Sequence, residues 1–159
     1  MIDIVVLDHR TQPVAEQIVD VQKAGYRVEA ELTGYDGMPG LTEDAHAVAA
    51  LEEVLLGATA GEQLVGVLGY SRHGAQVDVS RLVVHPDHFR KGIGTLLLRE
   101  LHAREPDARR IEVNTSTGNT PATGLYLREG YVIVDRDDTG PVPVSHFART
   151  PPRDDGTLS

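Results

Sequence analysis

Val84-His85-Pro86-Asp87-His88-Phe89-Arg90-Lys91-Gly92-Ile93-Gly94-Thr95-Leu96-Leu97-Leu98 is the stretch that decides how the chain is read. An apolar strand ends at Val84, a short basic loop follows, Gly92 and Gly94 stand one residue apart, and a helix opens at the second glycine. Glycine lets the main chain approach a ligand closely, and the first-turn N–H groups of a helix have no partner inside it. Such a junction suits phosphate, so the first expectation is a pyrophosphate cradle formed by the backbone of Arg90, Lys91, Gly92, Ile93, Gly94 and Thr95.

On the N-terminal side, Gln63 to Tyr70 and Gln76 to Val84 read as strands joined by a hairpin through Ser71-Arg72-His73-Gly74-Ala75. On the C-terminal side, the helix carries Ile93, Leu96, Leu97 and Leu101 on one face and ends before Pro106. Ile111 to Thr115 reads as a strand, and Pro121 to Glu129 as a helix stopped by Gly130. Tyr131 to Asp135 and Ser145 to Ala148 read as closing strands.

Ahead of the hairpin, Ile2 to Leu7 is a β-branched run and the expected first strand. A helix beginning at Pro13 presents Val14, Ile18 and Val21, with Gly25 as its stop. Glu31 to Gly40 is a glycine-rich loop carrying Tyr35, Asp36 and Met38, either a wall of an acceptor pocket or a plain connection. Thr42 starts a second expected helix, in which Val48, Leu51, Val54 and Leu55 continue at helical spacing to Gly57. Residues 1–150 thus make one α/β domain, and Pro151 to Ser159 a loose tail.

Bulk properties narrow the function. A chain of 159 residues buries a sizeable core without a second domain. The absence of cysteine excludes disulfides, thiolate nucleophiles and cysteine-ligated metals. A formal charge of −9 argues against nucleic acid as the main partner and leans toward a cationic one. Apolar runs such as Leu96-Leu97-Leu98 fall far short of the roughly 20 residues that span a bilayer, and no basic-then-apolar leader precedes Ile2, so a cytoplasmic protein with no membrane partner is expected. No metal is expected either, because the histidines form no i, i+4 pair with a carboxylate partner, and His85 and His88 are separated by Pro86 in a loop. A nucleotide hydrolase is disfavoured, since Gly-x-Gly is not followed by Gly-Lys-Ser/Thr.

Leu82-Val83-Val84-His85-Pro86 running into Arg90-Lys91-Gly92-Ile93-Gly94 resembles the acetyl-CoA signature of the GNAT N-acetyltransferases. Further on, Asn119, Ala122, Leu125-Tyr126 and Gly130-Tyr131 resemble that family's second signature, Asn-x-x-Ala-x-x-apolar-Tyr followed by Gly and an aromatic. The likeness covers Leu64 to Tyr131, and the two motifs fall in the family's order. One departure is Phe89, where the family usually carries Gln or Arg three residues before the first glycine. The resemblance implies a mixed, mostly antiparallel sheet of about six to seven strands flanked by about four helices. It also implies acetyl-CoA as co-substrate and a small-molecule or peptide amine as acceptor. Late strands in this family often meet a second subunit, so a homodimer is among the implied assemblies.

The resemblance places the pantetheine arm along Leu82, Val83 and Val84 by main-chain pairing, the pyrophosphate on Arg90 to Thr95, and Asn119 and Tyr126 beside the cofactor. Leu82 and Val84 are also plain core residues, and the two roles are compatible. Acetyl transfer needs a neutral amine, yet an ordinary alkyl amine with a pKa near 10.4 costs about 4 to 5 kcal/mol to deprotonate at pH 7. Tyr126 stands where the family places the acid that meets the departing CoA thiolate. For the base, Asp78 is the implied residue, on the face of Leu82 and Val84 by period-two alternation. Glu112, His85, His146 and a water molecule are rivals. The alternative function is an acyl-CoA-binding module without catalysis.

Overall fold

Seven strands form one sheet in the order β1-β2-β3-β4-β5-β7-β6, in a computed structural model that describes residues 1–150. The strands are β1 (Ile2–Val6), β2 (Val54–Ala60), β3 (Gln63–His73), β4 (Gln76–Val84), β5 (Arg110–Ser116), β6 (Val132–Asp137) and β7 (Val144–Arg149). The helices are α1 (Gln12–Thr33), α2 (Ala45–Ala49), α3 (Ile93–Arg104) and α4 (Thr120–Arg128), with short 3-10 turns at Pro39–Leu41 and Pro86–His88. Every strand pair is antiparallel except β4 with β5. The mixed, mostly antiparallel sheet with four helices is the architecture the resemblance implied. Among the described residues no helix is long and apolar enough to cross a membrane; the expected tail at Pro151 to Ser159 lies outside them.

Each face of the sheet has its own core. Ile93, Leu97, Leu98 and Leu101 of α3 and Tyr126 of α4 pack with Leu68, Val77, Val79 and Ile111 on one side. Ala15, Ile18, Val19 and Val21 of α1 and Val48 of α2 pack with Leu55, Val67 and Val83 on the other. Leu96, expected on the buried face of α3, is 40% exposed, and Leu98 takes its place in the core.

Two expectations for the N-terminal part are corrected. Gly25 does not stop α1, which continues to Thr33 and ends at Gly34 in the left-handed conformation, φ 71°. Gly25 instead lets the helix lie against β4: a Cβ there would collide with the Val83 side chain and come within 2.8 Å of the Val84 carbonyl oxygen. The long helix expected from Thr42 to Gly57 is the single short helix α2 followed by β2. Asp44 caps α2 by accepting from the Ala47 N–H at 2.8 Å. Val54 and Leu55 then pair with Tyr70 and Gly69 in the sheet, so the apparent helical spacing ran across a helix-to-strand junction.

A bulge in β4 positions everything that follows. Gly69 pairs with Arg81 and Tyr70 with Val79, which leaves Ser80 as the extra residue. The alternation therefore changes phase: Val77 and Val79 share a face with Leu82 and Val84, while Arg81 and Val83 point to the other. Pairing of β4 with β5 covers Gln76 to Val79 and ends at the bulge. Beyond it the two parallel strands diverge.

Gly25→Ala separates two opposing effects. Helix propensity alone would favour alanine by about 1 kcal/mol, but overpacking against β4 should dominate and lower stability by about 1–3 kcal/mol in denaturant unfolding. A second expectation concerns His102, half-buried against Tyr131, with Nε2 2.8 Å from the phenol oxygen. Burial, aided by the Arg149 charge, lowers its pKa from 6.5 to about 4. The unfolded chain then binds more protons between those values, so stability should fall as pH drops from about 6.5 to 4. His102→Gln should flatten that part of the stability–pH curve relative to the parent protein.

Candidate active site

The divergence of β4 from β5 opens a gap in the sheet. His85 donates its N–H to the Val65 carbonyl of β3 at 2.8 Å; by alternation the main-chain groups of Leu82 and Val84 point away from β3, toward the gap. Two cavities meet at this gap and share Tyr26, Glu29, Leu82, Asn119, Ala122 and Tyr126.

The larger cavity, about 610 Å³, runs along the cradle. Leu82, Val83, Val84, Arg90, Gly92, Ile93, Gly94, Thr95, Asn119 and Tyr126 all line it, ten of the eleven residues expected around the cofactor. Lys91 does not; its ammonium lies 3.2 Å from Nδ1 of His88, which itself lines the cavity. Phe89, the departure from the family pattern, is 43% exposed on the cavity wall. Arg128 of α4 adds a cation that the motifs did not indicate, one turn beyond Leu125 on the same helix.

The loop geometry explains the glycines. Arg90 and Gly92 both have positive φ, 66° and 73°, a left-handed backbone on either side of Lys91. Gly92 caps α3, and the first intrahelical bond runs from the Leu96 N–H to the Gly92 carbonyl; among the described residues the N–H groups of Ile93, Gly94 and Thr95 have no partner, an arrangement that suits an anion. Gly92 is required for its conformation, because a Cβ there would meet nothing within 4 Å. Gly94 serves packing: its Cβ would come within 2.9 Å of the Leu125 side chain of α4.

The second cavity, about 340 Å³, lies between the 3-10 turn at Pro39–Leu41, α1 and the diverging ends of β4 and β5. Met38 of the expected pocket loop lines it, with Pro39 and Gly40; Tyr35 and Asp36 are not among its walls. Arg81 forms its polar floor. The guanidinium donates through Nη1 to Glu43 and Gln22 and through Nε to Glu53, each at 2.7 Å. Burial opposes the Glu43 charge, but the hydrogen bonds from Arg81 and Gln22 outweigh it and hold that carboxyl below its usual range. Burial likewise opposes the Arg81 charge, and Glu43 and Glu53 outweigh it and raise its pKa.

At the junction, Tyr126 is 4% exposed and packs between Tyr131 and Phe147, with ring centroids 5.8 and 5.3 Å away. Burial raises the pKa of the Tyr126 phenol, so it stays protonated at neutral pH. Asn119 caps α4, accepting from the Ala122 N–H at 3.3 Å, and donates its amide to Glu29 of α1. Asn119 was marked in the sequence by the second signature. Glu29 and Tyr26 were not, because nothing in an amphipathic helix says which turn will overlie a gap in the sheet.

The expected bases fall elsewhere. Because of the bulge, Asp78 lies on the face opposite Leu82 and Val84, where Gln76 donates to it at 2.9 Å and to Glu112 at 2.7 Å. His85 caps the turn at Pro86–His88 by accepting from the Asp87 N–H at 3.1 Å, and His146 pairs with Asn114 within the sheet. None of Asp78, Glu112, His85 and His146 lines either cavity.

A sheet opened between parallel strands, with the start of α3 and two cavities meeting at the gap, is an α/β architecture of the acetyltransferase fold class. The chain belongs to the GNAT acetyltransferase family, whose domain model, described as acetyltransferase (GNAT) domain, matches residues 43–133. It is 40% identical over 125 residues, 79% of its length, to the UPF0157 protein YqkA of Bacillus subtilis, of which it spans only 36%. Its fold is similar to that of PaiA N-acetyltransferase from Thermoplasma acidophilum in complex with coenzyme A, with a TM-score of 0.77 and 16% identity over 94% of this chain and 99% of that one. The ribosomal-protein-S18-alanine N-acetyltransferase from Escherichia coli is also similar, at a TM-score of 0.77 and 14% identity over 100% and 99% of the two chains. An aminoglycoside 6'-acetyltransferase of type Ii gives 0.74 and 21% over 95% and 99%.

Gly92→Ala should cost about 1–2 kcal/mol in strain at the left-handed position and weaken coenzyme A binding, measured by calorimetry. An unchanged dissociation constant in the folded variant would remove Gly92 from the cradle.

Proposed function

We propose that this protein is an N-acetyltransferase that moves the acetyl group of acetyl-CoA to a primary amine by direct attack within a ternary complex. The observation that carries the reading is the meeting of the two cavities at Tyr126. The cradle cavity suits a long phosphate-bearing thioester, and the second cavity is lined by the same tyrosine. Solved proteins of like fold include one in complex with coenzyme A and others named for acetylating an alanine of a ribosomal protein or an aminoglycoside.

In this mechanism the N–H groups of Ile93, Gly94 and Thr95 hold the pyrophosphate, with Arg90 supplying charge. The main chain of Leu82 and Val84 pairs with the pantetheine amides as an added strand. The amine enters from the second cavity and attacks the thioester carbonyl carbon; the C–S bond breaks and the CoA thiolate departs beside Tyr126. The phenol donates its hydrogen bond as the thiolate charge develops. Its raised pKa keeps the proton in place until then.

The acceptor is a small-molecule or peptide amine, and the reading requires no metal, nucleic acid or membrane. It places the protein in the cytoplasm. A homodimer would use the β6 edge, where Val132, Ile133 and Val134 are exposed.

Incubation with acetyl-CoA and a panel of amines, followed by thiol release, tests the reading. Coenzyme A binding without thiol release from any amine would favour an acyl-CoA-binding module. Tyr126→Phe should lower turnover about 10- to 1,000-fold with acetyl-CoA affinity nearly unchanged; unaltered turnover would take Tyr126 out of the mechanism.

A further inference from the structure

Among the groups lining the acceptor-side cavity, Glu29 has no assigned work. Arg81 and Glu43 neutralise one another in a network completed by Gln22 and Glu53. Glu29 projects from α1 into the junction of both cavities, half-buried, and its carboxylate meets the amide of Asn119 rather than a cation. A carboxylate taken partly out of water without a cationic partner is costly unless a ligand supplies the charge.

We propose that Glu29 is the receptor for the acceptor's ammonium, binding the cationic amine at the cavity junction and taking its proton before attack. The inference rests on the acetyl-transfer reading and adds to it a substrate class, amines that arrive protonated, and the group that deprotonates them. The proton balance closes. The ammonium gives one proton to the Glu29 carboxylate, directly or through one water, and the neutral amine forms the new C–N bond. As the C–S bond breaks, the nitrogen loses its second proton, the departing thiolate gains one, and the Glu29 carboxyl returns its proton to solvent. One coenzyme A thiol, one amide and one proton result.

Position supports this role. Glu29 and Tyr126 line the same junction, so an amine held by Glu29 stands in the space that the phenol also borders. The titratable and charged groups lining the two cavities around it are Tyr26 on its own helix, Tyr126 and Arg128 on α4, Arg81 and Glu43 in the acceptor-side cavity, and His88 and Arg90 on the cradle loop. Burial raises the Glu29 pKa despite the Asn119 bond, which makes the carboxylate a better proton acceptor than an exposed one.

The test compares the parent protein with Glu29→Gln, which keeps an oxygen for Asn119, and with Glu29→Asp. The probes are propane-1,3-diamine, tyramine, glycinamide and a short peptide beginning with alanine. For amines that the parent acetylates, Glu29→Gln should lower kcat/KM for the amine by about 100-fold or more at pH 7, with acetyl-CoA affinity and thermal stability preserved. The deficit should shrink as pH approaches the amine's own pKa, and Glu29→Asp should recover part of the activity. A kcat/KM within about threefold of the parent, or a deficit independent of pH, overturns the proposal while leaving acetyl transfer standing. If no probe is acetylated, calorimetry of propane-1,3-diamine with the coenzyme A complex decides. Binding lost in Glu29→Gln supports the ammonium receptor although the acetyl-transfer reading has failed, and binding that is absent or unchanged overturns it.

Discussion

The molecule depends on a strand that loses its partner halfway along. Main-chain N–H and C=O groups are obligatory hydrogen-bonding groups, and leaving them unpaired in a closed interior is costly. At Ser80 the bulge ends the pairing of β4 with β5 and opens the sheet. The polar edge of Leu82 and Val84 then lies inside the protein but open to a cavity, a surface suited to an extended amide-bearing ligand. The same gap admits a second cavity, so one interruption in the sheet creates both compartments and the junction between them.

Helix α1 turns that gap into a site. Gly25 brings the helix onto the β4 backbone, which seats Tyr26 and Glu29 over the opening in the next turn. The buried Arg81 network fixes the other side: Gln22 of α1, Glu43 beside α2 and Glu53 ahead of β2 all converge on one guanidinium. Removing one partner from such a network would strand a buried charge, so it specifies how the helices sit on the sheet more than it adds stability. Among the described residues that line the cavity beside it, Arg81 is the one cation, and it is already paired with Glu43 and Glu53.

Much of the fold was legible in the sequence wherever local rules acted alone. The hairpin of β3 and β4, the glycine start of α3 and the Gly130 stop after α4 each rest on a short pattern with one physical cause. The errors share a different cause. Gly25 has the features of a helix stop, but its missing side chain is used for close approach to β4. Val54 and Leu55 continue the spacing of Val48 and Leu51, yet tertiary pairing with Tyr70 and Gly69 draws them into a strand. Asp78 followed the alternation correctly as far as Ser80, and the extra residue there reversed its face.

The sequence by itself determined the family and the residues that line the larger cavity, because their signals are contiguous and backbone-driven: positive-φ glycine, unpartnered first-turn N–H groups and an apolar strand before them. Only the tertiary structure decided the acceptor side. Tyr26 and Glu29 of α1, Arg81 of β4 and Asn119 at the start of α4 come from three elements distant in the chain, and what joins them is a bulge and a helix contact that leave no periodic mark. A carboxylate becomes a candidate ammonium receptor only through burial and the company it keeps, and both are properties of the folded chain.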